Sequence, residues 1–299
     1  MNGNWKDIEK NISITLGNKI RFKESSDVSG GCINQVTKVT DSNNKHWLIK
    51  TNKPTEFDMF KAESLGLDAL RESQVIRVPK SICCGSNDDF SYLVLEYIEL
   101  NSQINQISTG EALAEMHHYQ HKAPSNKPFG WERHNNIGST PQSNTPHENW
   151  LSFWKEERLL AQLALAKLKG YPTHDLENGL NLAENLDKFF TSYSPQASLL
   201  HGDLWSGNCA SDQQGNPVIF DPAVYFGDRE TDIAMTELFG GFNQAFYDTY
   251  NAHYPLDQDY KTRKQLYNLY HILNHFNLFG GGYASQASNM TKKLLAETK

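Results

Sequence analysis

The stretch HGDLWSGN occupies residues 201–208, and FDP follows it at residues 220–222 after one short apolar segment. Asp203 and Asn208 are five positions apart, as are the catalytic aspartate and the metal-binding asparagine in the catalytic loop of kinases. Asp221 follows an apolar strand pattern, where kinases carry a second carboxylate ligand for the metal. The three residues together predict a kinase-like fold.

These three residues also have the chemistry that phosphoryl transfer needs. Mg²⁺ prefers oxygen ligands and neutralises the charge of a triphosphate. We therefore expect Asn208 and Asp221 to hold Mg²⁺ beside ATP, and Asp203 to orient an acceptor hydroxyl and accept its proton. Asp203 or Asn208 taken singly is more simply explained as a turn cap, but the FDP segment favours the catalytic interpretation. His201 ends an apolar strand pattern and is interpreted as a buried structural residue.

A glycine-containing turn between the first two predicted strands is the expected phosphate-binding loop. It reads SGGCINQV, residues 29–36. Gly30 and Gly31 allow backbone N–H groups to approach an anion closely, and the adjacent Cys32 is included in the predicted nucleotide-binding set. A Gly-Gly pair alone is more often just a tight turn, so this interpretation depends on the residues that follow.

Lys50 ends the third predicted strand, and Glu63 lies on the helix that comes after it. In kinases a lysine at this place contacts the nucleotide phosphates and is held by a helical glutamate. Glu56 and Glu72 are alternative partners for the lysine. Glu96 and the adjoining Tyr97 lie within the fifth predicted strand, and both complete the predicted ATP-binding residues.

Apolar and polar residues alternate over residues 20–50, which predicts three strands, and two more strands are expected at 78–85 and 90–100. One helix, over residues 58–72, separates the two groups. Helical patterns dominate the rest of the chain. They cover residues 110–120, 149–169, 175–193, 231–250 and 260–278, with short strands at 197–203 and 216–222 and a Pro/Asn/Ser-rich loop at 122–147.

The predicted fold class is α+β, a bilobal protein-kinase-like fold. Residues 1–98 are expected to form a nucleotide-binding lobe made of an antiparallel sheet and one helix. Residues 99–299 are expected to form a larger, mainly helical lobe for catalysis and substrate binding.

The composition of the chain excludes several functional classes. The formal net charge is −7 and the isoelectric point about 5.9, and no dense basic run is present, so nucleic acid is not an expected partner. No apolar stretch approaches the ~18 residues of a membrane span. The four cysteines lack the spacing of a metal site. We expect a cytoplasmic enzyme with no membrane partner.

Several further segments, taken together with HGDLWSGN, resemble the fructosamine/ketosamine kinase family. They are GGCIN, HWLIK, MFKAES, FGW, IGSTPQ, WLSFWKEERL and FDPAVYFGDRETDIAMTELFGGF, and they span about residues 30–242. The family is similar in fold to aminoglycoside phosphotransferases and choline kinases. The resemblance implies an ATP- and Mg²⁺-dependent kinase that phosphorylates the sugar 3-hydroxyl of ketosamines, which destabilises the adduct and so removes glycation.

The resemblance further implies that Trp205 is a substrate-binding residue characteristic of the family. An indole two positions from Asp203 can pack on a sugar face and exclude water. The alternative is that Trp205 only fills space between loops. Asp228 and Asp232, in FGDRETDIA, are interpreted as structural residues that tie this segment to the catalytic loop through buried hydrogen bonds.

The acceptor is predicted to be a small-molecule ketosamine or a glycated protein lysine. One alternative is a kinase for another hydroxylated amine, such as an aminoglycoside or choline. Another is a non-catalytic nucleotide-binding module, which the presence of Lys50, Asp203, Asn208 and Asp221 argues against. Cys32, beside an anion-binding turn, is expected to be oxidisable and to allow a redox-dependent homodimer, although a small strand cysteine is the simpler interpretation.

Overall fold

The protein was analysed as a computed structural model, which describes residues 5–28, 33–101, 103–119 and 126–298. Three predicted site residues, Gly30, Gly31 and Cys32, lie outside the described residues. The predictions made for the glycine turn and for the reactivity of Cys32 therefore stay predictions.

The N-terminal part contains a five-stranded antiparallel sheet in the order β1-β2-β3-β5-β4. Its strands are β1 (Phe22–Asp27), β2 (Gln35–Asp41), β3 (His46–Asn52), β4 (Ser81–Ser86) and β5 (Ser91–Glu96). The central place of β5, which pairs with both β3 and β4, confirms what its apolar sequence predicts.

Side chains on these strands alternate between two cores because successive residues of a strand point to opposite faces. On β5, Tyr92 and Val94 belong to a small core, whereas Leu93 and Leu95 belong to the large core shared with the helical part. On β3, Trp47 and Ile49 face the small core. The alternation therefore directs Lys50 toward the helical part of the chain.

Two helices flank this sheet. The first, α1 (Lys6–Leu16), was not expected from the sequence. It places Ile8 and Ile12, one turn apart, in the small core, and Gly17 ends it in the left-handed conformation with φ of 70°. The second, α2 (Phe57–Glu72), is the predicted helix and packs on β4 and β5.

The rest of the chain is mainly helical, as predicted. The helices are α3 (Gln106–His118), α4 (Trp150–Phe153), α5 (Ala161–Leu168), α6 (Thr173–Glu184), α7 (Glu230–Leu238), α8 (Gln244–His253), α9 (Tyr260–Phe279) and α10 (Tyr283–Glu297). A π-helical segment, Trp154–Leu160, joins α4 to α5, and a short 3₁₀ helix, Leu186–Phe189, follows α6. The fold class α+β with a kinase-like arrangement is confirmed.

Short strands hold the segments between these helices. They are β6 (Leu100–Asn101), β7 (Asn135–Ile137), β8 (Thr140–Gln142), β9 (Ala197–Leu200), β10 (Cys209–Asp212), β11 (Pro217–Ile219) and β12 (Tyr225–Asp228). β9 pairs with β12, and β10 pairs with β11 and β6. As a result, the two ends of the HGDLWSGN stretch are anchored in two different small sheets.

Three sequence-based expectations differ from the structure. The helix expected over residues 231–250 is broken into α7 and α8 by Gly240 and Gly241, whose φ values of 74° and 97° are incompatible with a right-handed helix. The helix α10 was missed. The expected loop at 122–147 contains the hairpin β7–β8, and its Asn144 is fully buried.

Among the described residues, no helix is both long enough and apolar enough to cross a membrane. The location in the cytoplasm and the division into lobes at residues 98 and 99 stay predictions.

Candidate active site

A cavity of about 200 Å³ lies between the sheet and the helical part of the chain. Met59 of α2 and Val36 of β2 contribute to its sheet side, and Pro222 and Ala223 to its helical side. The cavity brings together six of the residues predicted from the sequence: Lys50, Glu63, Asp203, Trp205, Asn208 and Asp221.

Lys50 is buried at the end of β3 with an exposed fraction of only 3%. Its Nζ lies 2.7 Å from Oε1 of Glu63 on α2 and also contacts Oδ1 of Asp221. Burial by itself lowers the pKa of Lys50, but the adjacent Asp221 and Glu63 carboxylates outweigh it and raise that pKa above its usual value. Lys50 is therefore a permanently charged group, and Glu63, not Glu56 or Glu72, is its helical partner.

Asp203 and Asn208 contact each other directly. The Asn208 side-chain amide donates to the backbone carbonyl of Asp203 at 2.9 Å and to its Oδ2 at 3.2 Å. Burial raises the pKa of Asp203, the nearby Asp221 carboxylate raises it further, and the Asn208 hydrogen bond opposes both, for a value of about 7. Because Nδ2 of Asn208 is used in this way, its Oδ1 is the side-chain atom left to meet a cation.

The backbone at the start of the HGDLWSGN segment is held in place by Asp232 of α7. Its carboxylate accepts hydrogen bonds from the backbone N–H of His201 at 2.7 Å and of Gly202 at 2.9 Å. His117 of α3 lies 3.1 Å from the same carboxylate. All of these groups are buried, so the interpretation of Asp232 as a structural residue agrees with its contacts. Asp228 is also buried, but its carboxylate accepts hydrogen bonds from the hydroxyl groups of Tyr193 and Tyr267 and from the backbone N–H of Glu230, and not from the HGDLWSGN segment as expected.

His201 is fully buried and acts as a scaffold for the loop. Its Nδ1 accepts from the backbone N–H of Asp203 at 3.2 Å, and its Nε2 lies 2.9 Å from the carbonyl of Phe220. Nε2 must therefore carry the proton. Burial lowers the pKa of His201, which keeps the ring neutral. The histidine thus ties the segment before Asp203 to the segment before Asp221.

Two backbone positions in the site adopt left-handed conformations. Gly202 has φ of 81°, and a Cβ there would lie 2.1 Å from the carbonyl oxygen of Ala223, so only glycine fits. Asp221 has φ of 58° without being a glycine. Such a conformation is uncommon for a residue with a side chain and is often held in place at functional sites.

Trp205, within the HGDLWSGN segment, is partly exposed, with an exposed fraction of 38%. Its ring covers Gly207, where an added Cβ would lie 2.3 Å from the ring atoms Cζ2 and Cη2. The indole also meets Phe239 edge to face, with ring centroids 6.2 Å apart. Trp205 lines the cavity together with Asp203, and its substrate-binding role stays a prediction.

The hairpin β7–β8 supplies cavity-lining residues that the sequence-based reasoning missed: Asn135, Asn136 and Gly138. Asn135 is anchored, since its Nδ2 donates to the carbonyl of Val224 at 2.8 Å. Asn136 is half-buried and its side chain forms no hydrogen bond to any described residue. The sequence contained a signal for them, because these residues adjoin or belong to the segment IGSTPQ, which is part of the family resemblance. They were missed because the surrounding stretch was interpreted as a loop.

Glu96 and Tyr97 are not among the residues that line this cavity. The Glu96 carboxylate lies 3.0 Å from Nη2 of Arg77, which also pairs with Asp212. The Tyr97 ring lies 4.1 Å beneath the ammonium of Lys38. A nucleotide-binding role for these two residues stays a prediction.

We compared the sequence and the fold of this chain with those of known proteins. Residues 4–297 match the sequence profile of the fructosamine kinase family. The chain is 45% identical over 293 residues to a probable ketoamine kinase of Synechocystis, covering 97% of both chains. It is 39% identical over 289 residues to a chloroplastic protein-ribulosamine 3-kinase of Arabidopsis thaliana, covering 96% of this chain and 87% of that one.

A crystal structure of a protein described as a candidate fructosamine-3-kinase of Haemophilus somnus superposes with a TM-score of 0.87 at 28% identity, covering 97% of each chain. Both the sequence and the fold therefore agree with the resemblance inferred from the motifs. This chain belongs to the fructosamine kinase family, and it is accordingly a phosphotransferase whose acceptor is a hydroxyl group.

Proposed function

We propose that this enzyme uses Mg-ATP to phosphorylate the sugar 3-hydroxyl of ketosamines and thereby promotes deglycation. The observation that carries the proposal is that Asp203 and Trp205 line the same cavity as Lys50, Asn208 and Asp221. A base and a sugar-binding ring thus adjoin the residues suited to hold a triphosphate.

The nucleotide side of the site is assigned to Lys50 and its partners. The Lys50 ammonium would bind phosphate oxygens, and Glu63 at 2.7 Å would hold it in position. Mg²⁺ fits the oxygen atoms of Asn208 and Asp221, and it would neutralise charge on the transferred phosphoryl group. Asp221 contacts Lys50 across the cavity, and its carboxylate would also contact the metal ion.

The acceptor side of the site is assigned to Asp203. Its carboxylate would accept a hydrogen bond from the reacting hydroxyl, orient it toward the γ-phosphate and take its proton as the new O–P bond forms and the bond to the leaving ADP breaks. A second contact would come from the free side-chain amide of Asn136, which can both donate to and accept from sugar hydroxyls. Trp205 would pack on the sugar face and exclude water.

The proposal is tested by a phosphate-transfer screen with Mg-ATP against a fructosyl amine, a ribulosyl amine, an aminoglycoside and choline, with the phosphorylated position determined by NMR. We expect transfer to the 3-hydroxyl of the ketosamines and little to the others. The Asp203→Asn variant controls for contaminating kinases. Faster phosphorylation of choline or of the aminoglycoside would favour the alternative acceptor class. Nucleotide binding without transfer to any acceptor would favour a non-catalytic module.

A further inference from the structure

An exposed aromatic surface begins at Trp205 and extends away from the cavity. It consists of Trp205, Phe239, His275, Phe279 and Tyr283, and we refer to it as the aromatic surface. Phe239 and Phe279 have exposed fractions of 42% and 63%. Large apolar side chains are usually scattered singly on a protein surface, so a contiguous group of this kind indicates a binding site.

The rings form a continuous path. Phe239 lies 6.2 Å from Trp205, His275 lies 5.1 Å from Phe239, and Tyr283 lies 5.1 Å from His275, all measured between ring centroids. Phe279 adjoins both His275 and Tyr283. The path therefore reaches well beyond the space that one sugar beside Asp203 would occupy.

The turn between α9 and α10 that borders this surface leaves open space at its three glycines. A Cβ added at Gly280, Gly281 or Gly282 would meet no atom within 4 Å. The surface is also separate from the nucleotide side of the cavity, which is formed by Lys50 and Glu63 of the sheet lobe and by Asp221. A ligand lying on the aromatic surface would therefore leave the triphosphate site free.

We infer that the aromatic surface binds the amine-bearing part of the acceptor, and that this part is a peptide or protein segment rather than a small amine. The inference rests on the function proposed above. In a ketosamine the amine nitrogen is only a few bonds from the sugar hydroxyl that reacts. With that hydroxyl at Asp203 and the sugar against Trp205, the chain attached to the nitrogen would leave the cavity beside Trp205, where the aromatic surface begins.

The chemistry of the surface suits such a ligand. The secondary amine of a ketosamine is protonated near neutral pH, and a cation held over an aromatic ring is stabilised electrostatically. Beyond the nitrogen, apolar side chains of a peptide would cover Phe239 and Phe279 and remove their surface from water. A small amine would reach only the first of these rings and would leave the remainder exposed.

The test compares two acceptors in the full-length enzyme: a fructosyl-lysine within a short peptide that has leucine or phenylalanine on each side, and fructosyl-methylamine. For Phe279→Ser and Phe239→Ser we expect the ratio of kcat/KM for the peptide to kcat/KM for the methylamine to fall about tenfold, since losing one buried aromatic contact has an effect of this size. Leu168→Ser is the matched control, because Leu168 is 82% exposed and lies on α5, outside the surface. Its ratio should equal that of the unchanged enzyme.

Three results would overturn the inference. The first is an unchanged ratio in both phenylalanine variants, and the second is an equal loss for both acceptors, which would indicate a general structural role. The third is a change in oligomeric state with an unchanged ratio, measured by light scattering, which would make the surface an interface between two copies of the chain. If the unchanged enzyme phosphorylates neither ketosamine, the proposed function itself fails and this inference fails with it.

Discussion

The Nζ atom of Lys50 contacts Oδ1 of Asp221, although 171 positions separate the two residues in the chain. This ion pair joins β3 of the sheet to the segment that follows β11 in the helical part. Both residues are assigned to the triphosphate and its metal ion in the proposed mechanism. In that mechanism Asp221 would exchange its lysine contact, at least in part, for a metal contact when Mg-ATP binds.

Replacing Asp221 by Asn should weaken the dependence on Mg²⁺ specifically. The amide keeps the shape of the side chain but removes the charge that a hard cation prefers. We expect the Mg²⁺ concentration for half-maximal activity at fixed ATP to rise by about ten- to a hundredfold. Asp68→Asn changes a surface carboxylate on α2 that pairs with Arg71 and should leave the titration unchanged. The same half-saturation point in both variants would mean that the metal is held elsewhere.

Replacing Asp203 by Asn should lower kcat without a comparable loss of ATP binding. The amide can still accept a hydrogen bond from Asn208, but it cannot take the proton of the acceptor hydroxyl. A decrease of about 10²- to 10⁴-fold is typical when a general base is removed. Steady-state kinetics and ATP titration by calorimetry measure the two quantities separately. Near-normal turnover would remove Asp203 from the mechanism.

Replacing Gly207 by Ala should displace the indole of Trp205, because the new Cβ would lie 2.3 Å from two of its ring atoms. We expect kcat/KM for fructosyl-methylamine to fall about tenfold, with the KM for ATP nearly unchanged. Gly282→Ala is the control, since a Cβ there meets no atom within 4 Å. Parallel losses for ATP and for the acceptor would indicate that the whole catalytic loop has moved.

The stability of the fold should decrease in acid partly through His271. Burial lowers the pKa of this histidine to about 3, whereas an unfolded chain binds the proton near pH 6.5. Between these values the unfolded state holds one more proton than the folded state. The free energy of unfolding therefore falls as the pH falls below about 6.5, by about 1.4 kcal/mol per pH unit from this group.

Urea unfolding between pH 7 and pH 4 measures this contribution. The His271→Asn variant should show a shallower loss of stability on acidification, even if it is less stable at pH 7. His174→Gln, which changes an exposed histidine on α6, should lose stability as steeply as the unchanged protein. Identical slopes for all three proteins would show that His271 is not the group that titrates.

Local sequence patterns alone predicted the chemistry of the site and the elements that carry its residues. Asp203, Asn208 and Asp221 belong to one loop and the hairpin that follows it. Their spacing can therefore be recognised in the sequence before the fold is known. The alternation that directs Lys50 away from Trp47 and Ile49 is equally local, because the side-chain period of a strand is two residues. These signals predicted the fold class and six of the residues that line the cavity.

Tertiary structure decided which distant segments complete the site. Asn136 lies in a stretch without a clear period and reaches the cavity only because β7–β8 packs on the segment after Asp221. The proximity of Phe239 to Tyr283 likewise depends on how α7, α9 and α10 pack together. The periodicity of apolar residues indicates which face of a helix or strand is buried, but it does not indicate which other element packs against that face. For that reason the sequence predicts the candidate catalytic groups, while the β7–β8 residues that line the cavity and the aromatic surface appear only in the folded chain.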